Sequence, residues 1–225
     1  MTAAPIHLAG ERLMLDPSGA LIWPSNRLLV VSDLHLEKGS FYARQGQLLP
    51  PWDTEATLDR LSTLLRRYNP RLVIALGDSF HDTLGASRVP AGEVGRIRAM
   101  TEAHRFIWVQ GNHDPCPPRG FGGEAMEAFV TTPLIFRHQA MPDAEAEISG
   151  HYHPKATVSV HGSRITRPCF VADRHRVMLP ALGAYTGGLD VRDPAIARLF
   201  PRGGRAFLLG RERLFSFAMG TLRSG

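Results

Sequence analysis

Cysteine and lysine are nearly absent from this sequence. Cys116 and Cys169 are the only cysteines among 225 residues. They form no CxxC pair and are too few for a disulfide framework, so reduced thiols are the expectation, with Cys116 an ordinary loop residue after Asp114-Pro115. Lysine stands only at positions 38 and 155, and every other basic residue is arginine, the better bidentate binder of phosphate. A skew of arginine over lysine also follows from genome base composition, so it does not by itself name a partner. No apolar stretch approaches the length of a membrane span. The opening MTAAPIHLAGERLML lacks a basic n-region and a long apolar h-region, so the expectation is a cytoplasmic chain without a membrane partner. Low-complexity tracts and internal repeats, apart from the short motifs below, are also missing.

What is present suits one domain spanning 1–225 with a substantial core. Net charge is +5 with a pI of about 9.8, a balance that suits a polyanionic partner without proving one.

Four apolar runs end in residues of metal-ligand type. Leu28 to Val31 is β-branched, too short for a globular helix, and leads into Asp33 and His35. RLVIALGDSFHD ends its run in Gly77-Asp78; FIWVQGNHD ends in Gly111-Asn112-His113-Asp114; AEISGHYHP closes with Gly150-His151-Tyr152-His153. Alone, Asp-x-His is a common pair, a turn carboxylate and a surface imidazole. Four strand ends that each deliver carboxylate, amide or imidazole donors describe one site, in the crevice where α/β sheets bind ligands. Glycine before three of these clusters permits tight turns and close backbone approach.

The ordered set Asp33-x-His35, Gly77-Asp78, Gly111-Asn112-His113-Asp114, His138 and Gly150-His151-x-His153 resembles the signature of the calcineurin-like metallophosphoesterases. Asp33-Leu34-His35-Leu36-Glu37-Lys38-Gly39, Gly77-Asp78-Ser79-Phe80-His81-Asp82, Arg167-Pro168-Cys169-Phe170 and the stretch from Leu179 to Leu189 are similar to the bacterial ligase-associated DNA-damage-response endonucleases, often called PdeM. The resemblance covers nearly the whole chain to about Leu189. It implies a four-layer αββα sandwich of two mixed β-sheets flanked by helices. It implies two divalent ions, one on Asp33, His35, Asp78 and His153, the other on Asp78, Asn112, His138 and His151, with Asp78 bridging. His138, in Arg137-His138-Gln139, rests on its order in the chain rather than on a local motif. Imidazole, carboxylate and amide donors without thiolate suit Mn, Fe or Zn, and nuclease relatives point to Mn. His113 is implied to face the scissile phosphate as general acid or transition-state donor, with Asp114 orienting its ring.

The position three residues after Asp78 is His81, where the phosphoprotein phosphatases carry Asp, which argues against protein dephosphorylation. His81, Arg119, Arg137 and Lys155, with Arg167, lie near site motifs in sequence and are candidates for substrate contact; a structural hydrogen bond for His81 and a solvated charge for each of the others are the plain alternatives. His7, His104, His161 and His175 have no ligand spacing.

Along the chain, residues 6 to 23 read as two or three short strands about an Asp16–Gly19 turn. A helix starting near Asp53 or Thr54, capped by one of them, carries Leu58, Leu61, Leu64 and Leu65 on one face and stops at Asn69-Pro70. Ser87 to Pro90 reads as loop, Gly92 to His104 as helix and Ile107 to Val109 as strand, so two βαβ units result. Pro115 to Gly123 is irregular and is expected to rim the site. Strands follow at Thr131–His138, Glu147–Ser149, Ala156–His161, Cys169–Asp173, Val177–Pro180, Ala206–Leu209 and Leu214–Ala218, the last two a hairpin about Gly210–Arg213. Helical units first and strands later suggest two face-to-face sheets with helices outside. The function implied is a metal-dependent phosphodiesterase that cuts DNA, with an ATP-dependent ligase, a helicase and an exonuclease as pathway partners. A phosphodiesterase for small substrates such as cyclic nucleotides is the alternative. A non-enzymatic scaffold is disfavoured because all seven ligand positions are filled.

Overall fold

A computed structural model describes residues 2–114 and 120–222. Cys116 and Arg119 lie outside the described residues, as does most of the irregular stretch after the Gly111–Asp114 turn.

Two mixed sheets form the middle of the molecule. The first contains β1 (Ala4–Leu8), β2 (Glu11–Leu15), β3 (Leu21–Trp23), β4 (Leu28–Val31), β5 (Leu72–Leu76), β6 (Arg105–Val109) and β7 (Glu124–Met126), in chain order across the sheet. β1 to β4 are antiparallel, and β4 to β7 are parallel. The second contains β8 (Ala128–Thr131), β9 (Leu134–Arg137), β10 (Glu147–Ser149), β11 (Lys155–Val160), β12 (Ser163–Ala172), β13 (Arg176–Met178), β14 (Arg205–Leu209) and β15 (Leu214–Ala218). Its order is β15-β14-β12-β13-β10-β9-β8, with β11 paired to β12, and β10 runs parallel to both β9 and β13.

The crossovers on the first sheet carry α1 (Lys38–Arg44) and α2 (Asp53–Tyr68), then α3 (Gly85–Arg88) and α4 (Ala91–Ala103). Period-2 alternation explains why β4 reads as an unbroken apolar run. Leu28 and Val30 face the second sheet, while Leu29 and Val31 face the helices. Leu58, Leu61, Leu64 and Leu65 of α2 and Ile97 of α4 cover that outer face with Val73, Ala75, Phe106 and Trp108. Between the sheets, Leu15, Trp23, Ile74, Leu76 and Val109 meet Phe136, Ile148, Phe170 and Leu179. A third apolar layer packs Cys169, Val171, Met178 and Leu208 beneath Ile196 of α5 (Pro194–Ala197), Leu199 and Phe200. The αββα expectation therefore holds, with a thin fourth layer.

Several local expectations change. Neither Asp53 nor Thr54 caps α2: the residue before the helix is Trp52, and Asp53 Oδ2 instead accepts from the Gly39 amide at 3.1 Å. Thr54 Oγ1 donates to Glu37 Oε1 at 2.9 Å. Both side chains fasten α1 to α2 rather than ending a helix. Asn69, with φ 39°, closes α2 as expected. Ser87 and Arg88, the start of the anticipated loop, belong to the short α3, and the strand anticipated over Thr131–His138 is broken into the end of β8, a turn and β9. Among the described residues no helix is long and apolar enough to cross a membrane.

Candidate metal centre

The carboxyl ends of β4, β5, β6, β9 and β10 converge. The turn after β4 is stitched to the turn after β5 by His35 N–H to Asp78 O (2.9 Å), Leu36 N–H to Ser79 O (2.9 Å) and His81 N–H to Leu36 O (3.0 Å). The second sheet joins through the His151 N–H, which donates to Asp33 Oδ2 at 3.0 Å, and through the Leu182 and Gly183 amides, which donate to Ser32 O and Asp33 O. Glycine serves close approach here. A Cβ on Gly77 would overlap the His138 ring, and one on Gly150 would overlap Ser32 and Asp33. Of the motif glycines, Gly77 alone has positive φ, at 73°. The bent conformations fall on the side-chain donors themselves. Asp33, His35, Asp78, His151 and His153 all have left-handed φ between 45° and 73°. Each such residue costs on the order of 1–2 kcal/mol, a strain that a packed framework has to hold.

Two groups of donors result, Asp33 with His35 and His153, and Asp78 with His138 and His151. In the first, His35 Nε2 and His153 Nε2 are 3.2 Å apart, and His153 Nε2 is 3.3 Å from Asp33 Oδ1. In the second, His138 Nε2 lies 3.0 Å from His151 Nδ1, 3.4 Å from Asp78 Oδ2 and 2.9 Å from Asn112 Oδ1. His35 Nε2 approaches Asp78 Oδ2 at 3.9 Å, which sets that carboxylate between the groups. Ligand atoms held about 2.1 Å from one cation are roughly 3.0–3.4 Å from each other, from octahedral to tetrahedral geometry. Within the two three-donor groups the spacings, 3.0 to 3.4 Å, fall in that range, so these side chains fit two cations.

The electrostatics agree. Burial pushes the His35 imidazole down to about 3, with His153 and His81 adding to it against Asp33 and Asp78. His151 is also lowered by burial, then by His138. Burial works against a charged His138 too, yet Asp78 and Asp33 outweigh it and hold this ring up at about 9. Both carboxyls lie below the ordinary range: burial raises them, and their histidine neighbours more than reverse it. One imidazolium, His138, therefore sits where positive charge is demanded, and the lowered His35 and His151 rings are neutral donors ready to ligate.

His113 belongs to neither group. Its backbone N–H donates to Asp78 Oδ1 at 2.9 Å, and its side chain, 43% exposed, places Nε2 at 4.0 Å from Asp78 Oδ2. The ring stacks on His81 with centroids 5.5 Å apart and 16° between planes. His81 is buried, with Nδ1 at 3.4 Å from His35 Nδ1. Asp114 does not orient His113. Its Oδ2 accepts from the Ser79 and Phe80 amides at 2.7 and 3.2 Å, and Oδ1 has no partner among the described residues. It holds the turn that presents Asp78. Burial, with Asp78 adding to it, raises this carboxyl to about 7 against those amide bonds.

Arg137 is also corrected. Its guanidinium turns away from the site to the fully buried Glu147, 3.2 Å from Nε to Oε1, with Arg176 on the same carboxylate at 3.4 Å. Lys155 follows the His153 turn, its Nζ donating to Thr186 O at 3.5 Å. Arg167 is exposed on β12, opposite Ala156. Three residues that sequence reasoning passed over stand at the site. Phe41 and Tyr42 of α1 bring their rings to 4.8 and 5.7 Å from His81, and Lys38 opens the same helix.

Two mixed sheets presenting a pair of three-donor groups at their joined strand ends define a metal-dependent phosphoester hydrolase. Residues 26–179 match the model of the calcineurin-like phosphoesterase family, and the chain belongs to that family. It is similar to the crystal structure of the nuclease MPE of Pseudomonas putida, at 29% identity and a TM-score of 0.75, over 95% of this chain and 100% of that one. It also matches YfcE, a phosphoesterase from E. coli, at 15% identity and a TM-score of 0.43 over 85% of this chain and 98% of that one. The chain has no match among curated protein sequences.

Proposed function

We propose that this chain is a two-metal phosphodiesterase that hydrolyses DNA and acts in cytoplasmic DNA repair beside an ATP-dependent ligase, a helicase and an exonuclease. The observation that carries the reading is the spacing of the two donor groups, with the Asp78 carboxylate of the second 3.9 Å from His35 of the first. The likeness to a Pseudomonas putida nuclease over nearly the whole chain supports nucleic acid as substrate.

In this reading Asp33, His35, Asp78 and His153 hold one ion, and Asp78, Asn112, His138 and His151 hold the other, with Mn as the metal. Bound together, such ions supply positive charge for the phosphoryl oxygens and an activated water. The protein's own groups do the rest. His138 would give up its proton on holding such an ion, whose charge would then replace the imidazolium beside the two carboxylates. His113, the exposed ring nearest Asp78, donates its Nε2 proton to the departing alkoxide. His81 supports the His113 ring by stacking, and burial, Lys38 and His113 lower it to about 4, so it stays neutral and adds no competing charge. Lys155 faces the substrate from the second sheet.

The test is hydrolysis of linear and circular DNA and of an aryl phosphodiester by Mn-loaded and chelated protein. Mn-dependent cleavage of both substrate types is expected. Full activity after chelation overturns the two-metal reading, and cleavage of small diesters or cyclic nucleotides alone overturns DNA as the substrate.

A further inference from the structure

Beyond the metal centre the second sheet sends out a two-stranded ribbon. β11 begins just after the His151 and His153 turn and pairs with β12 from Lys155 opposite Pro168 to Val160 opposite Ser163. β12 joins the rest of its sheet through Cys169–Ala172, so among the described residues the ribbon outward of Cys169 has no third strand. Every residue from Ser159 to Arg167 is exposed. Both faces of the outer ribbon therefore meet solvent, an arrangement of marginal stability alone that a bound partner would reinforce. Its charge has one sign. No aspartate or glutamate stands between Glu147 and Asp173, in a chain with 21 of them, while Lys155, Arg164 and Arg167 all lie on the ribbon. Charge on an exposed strand guards against edge-to-edge pairing, but either sign does that. Cations alone suit a polyanion.

Cross-strand partners share a face, and the faces alternate along each strand. One face carries Ala156, Val158, Val160 and Ile165, and its inner end, Ala156 and Val158, packs against the apolar layer beneath α5. The other carries Lys155, Thr157, Ser159, Arg164 and Thr166, two cations and three hydroxyls without a carboxylate. These are the side-chain types that hold nucleic-acid phosphates. The Thr157 and Thr166 hydroxyls are bonded to each other across this face at 2.8 Å. The polar face also continues into the metal centre. Lys155 Nζ lies 3.5 Å from Thr186 O and the Lys155 amide donates to Leu189 O, while the start of that same segment, the Leu182 and Gly183 amides, reaches Ser32 O and Asp33 O. From Lys155 to Ser159 the strand extends roughly 13 Å. That is the length of about four stacked nucleotides at roughly 3.4 Å each.

We propose that the polar face of this ribbon, Lys155, Thr157, Ser159, Arg164 and Thr166, is a track for the DNA backbone, holding phosphates that lie outside the scissile one as the strand leaves the metal centre. The proposal rests on the nuclease reading and deepens it. A contact so far from the reacting bond is made equally in the ground state and the transition state, so it acts on KM rather than kcat.

The experiment uses the full chain loaded with Mn. Values of kcat and KM are measured across a salt series for a long DNA oligonucleotide and for an aryl phosphodiester, which is too short to reach the ribbon. Ser159→Glu and Ser163→Glu place the same charge on opposite faces of the exposed tip, Ser163 pairing with Val160 on the apolar side. Ser159→Glu is expected to raise the oligonucleotide KM by roughly 1.5- to 5-fold, the effect of one exposed charge pair, and Ser163→Glu to leave it at the wild-type value. Arg164→Gln is expected to reduce the slope of log KM against log salt by about 0.7–0.9, the loss of one phosphate contact, with Arg164→Lys restoring it. For Ser159→Glu and Arg164→Gln the oligonucleotide-to-diester ratio of kcat/KM falls. In a wild type that cuts the oligonucleotide, equal effects of the two glutamates, or a salt slope that Arg164→Gln leaves unchanged, overturn the track alone. A wild type that cuts the aryl diester and not the oligonucleotide overturns the nuclease reading and the track with it.

Discussion

Replacing His113 by alanine separates proton donation from metal holding within one turn of chain. Its ring lies outside both donor groups, and the bond it contributes to the metal centre is the backbone N–H to Asp78 Oδ1, which alanine keeps. The first effect of His113→Ala is therefore on chemistry. The general-acid contribution of a positioned histidine is about 100- to 10,000-fold, or roughly 2.7–5.5 kcal/mol on the barrier. The side chain is 43% exposed, so water replaces it in part and the lower half of that range is the expectation. The loss is expected for an alkyl or nucleoside leaving group, which must depart protonated, and to shrink to less than about tenfold for a nitrophenolate, which need not. Asn112→Ala does the opposite. It removes an oxygen 2.9 Å from His138 Nε2, so bound metal falls towards one per chain and added Mn restores part of the rate. The assay is metal content by elemental analysis, paired with rates on both esters. Loss of metal in His113→Ala, or an equal loss of rate on both esters, refutes the assignment.

Gly77→Ala is expected to cost about 1–2 kcal/mol from its left-handed φ and to push aside the His138 ring; metal titration should show weakened binding at the second donor group with the first retained. Arg137→Ala is expected to lower stability by about 1–3 kcal/mol through the buried Glu147 it leaves half-paired, while the salt dependence of DNA binding stays at the wild-type slope; denaturant unfolding and a salt series check the two halves. Asp16 is buried and accepts from the Ser18 amide (2.7 Å), Arg67 (3.0 Å) and the Tyr68 hydroxyl; burial raises its carboxyl, and these partners more than reverse it, to below the ordinary value. A depressed carboxyl contributes stability above its unfolded pKa and loses it as pH falls through the folded one, so Asp16→Ala should cost about 1–3 kcal/mol at pH 7 and progressively less below about pH 4, read by urea unfolding at both pH values.

The parts of this fold that sequence made legible are those where one physical demand dominates. β4 and β10, buried on both faces, follow the bounds Leu28–Val31 and Glu147–Ser149 because only an apolar or neutralised run survives there. The leucine stripe of α2 is legible for the same reason. The helix α1 was not, because it buries one glycine and so shows no periodic stripe, and β7 has three residues with no buried side chain to mark it. Asp53 and Thr54 stand at a helix start, as capping residues do, but the contacts they make are with Gly39 and Glu37, fourteen and seventeen positions away. No local pattern encodes that choice.

The site shows the same division, and one of its misreadings was avoidable. Proximity in sequence to a ligand was the reason to place Arg137 on the substrate, yet it precedes His138 at the end of a strand. Leu134 and Phe136 of β9 point between the sheets, so His138 continues that face towards the metal centre and Arg137 must leave on the other. Its partner Glu147 begins β10, the strand that ends at the His151 and His153 turn. The ion pair thus ties together the two strands that carry three of the seven candidate ligands, and a residue adjacent to the chemistry in sequence contributes through rigidity. Asp114 follows the same logic. Its carboxylate spans from the β6 turn to the amides of Ser79 and Phe80, immediately after Asp78, so the backbone that holds Asp78 at φ 46° is fixed by a neighbour rather than by its own preference. Five donors in left-handed conformations can persist only if such ties over-determine them. Residues that point away from the substrate are therefore what keep the donor atoms at ligand spacing before any cation arrives.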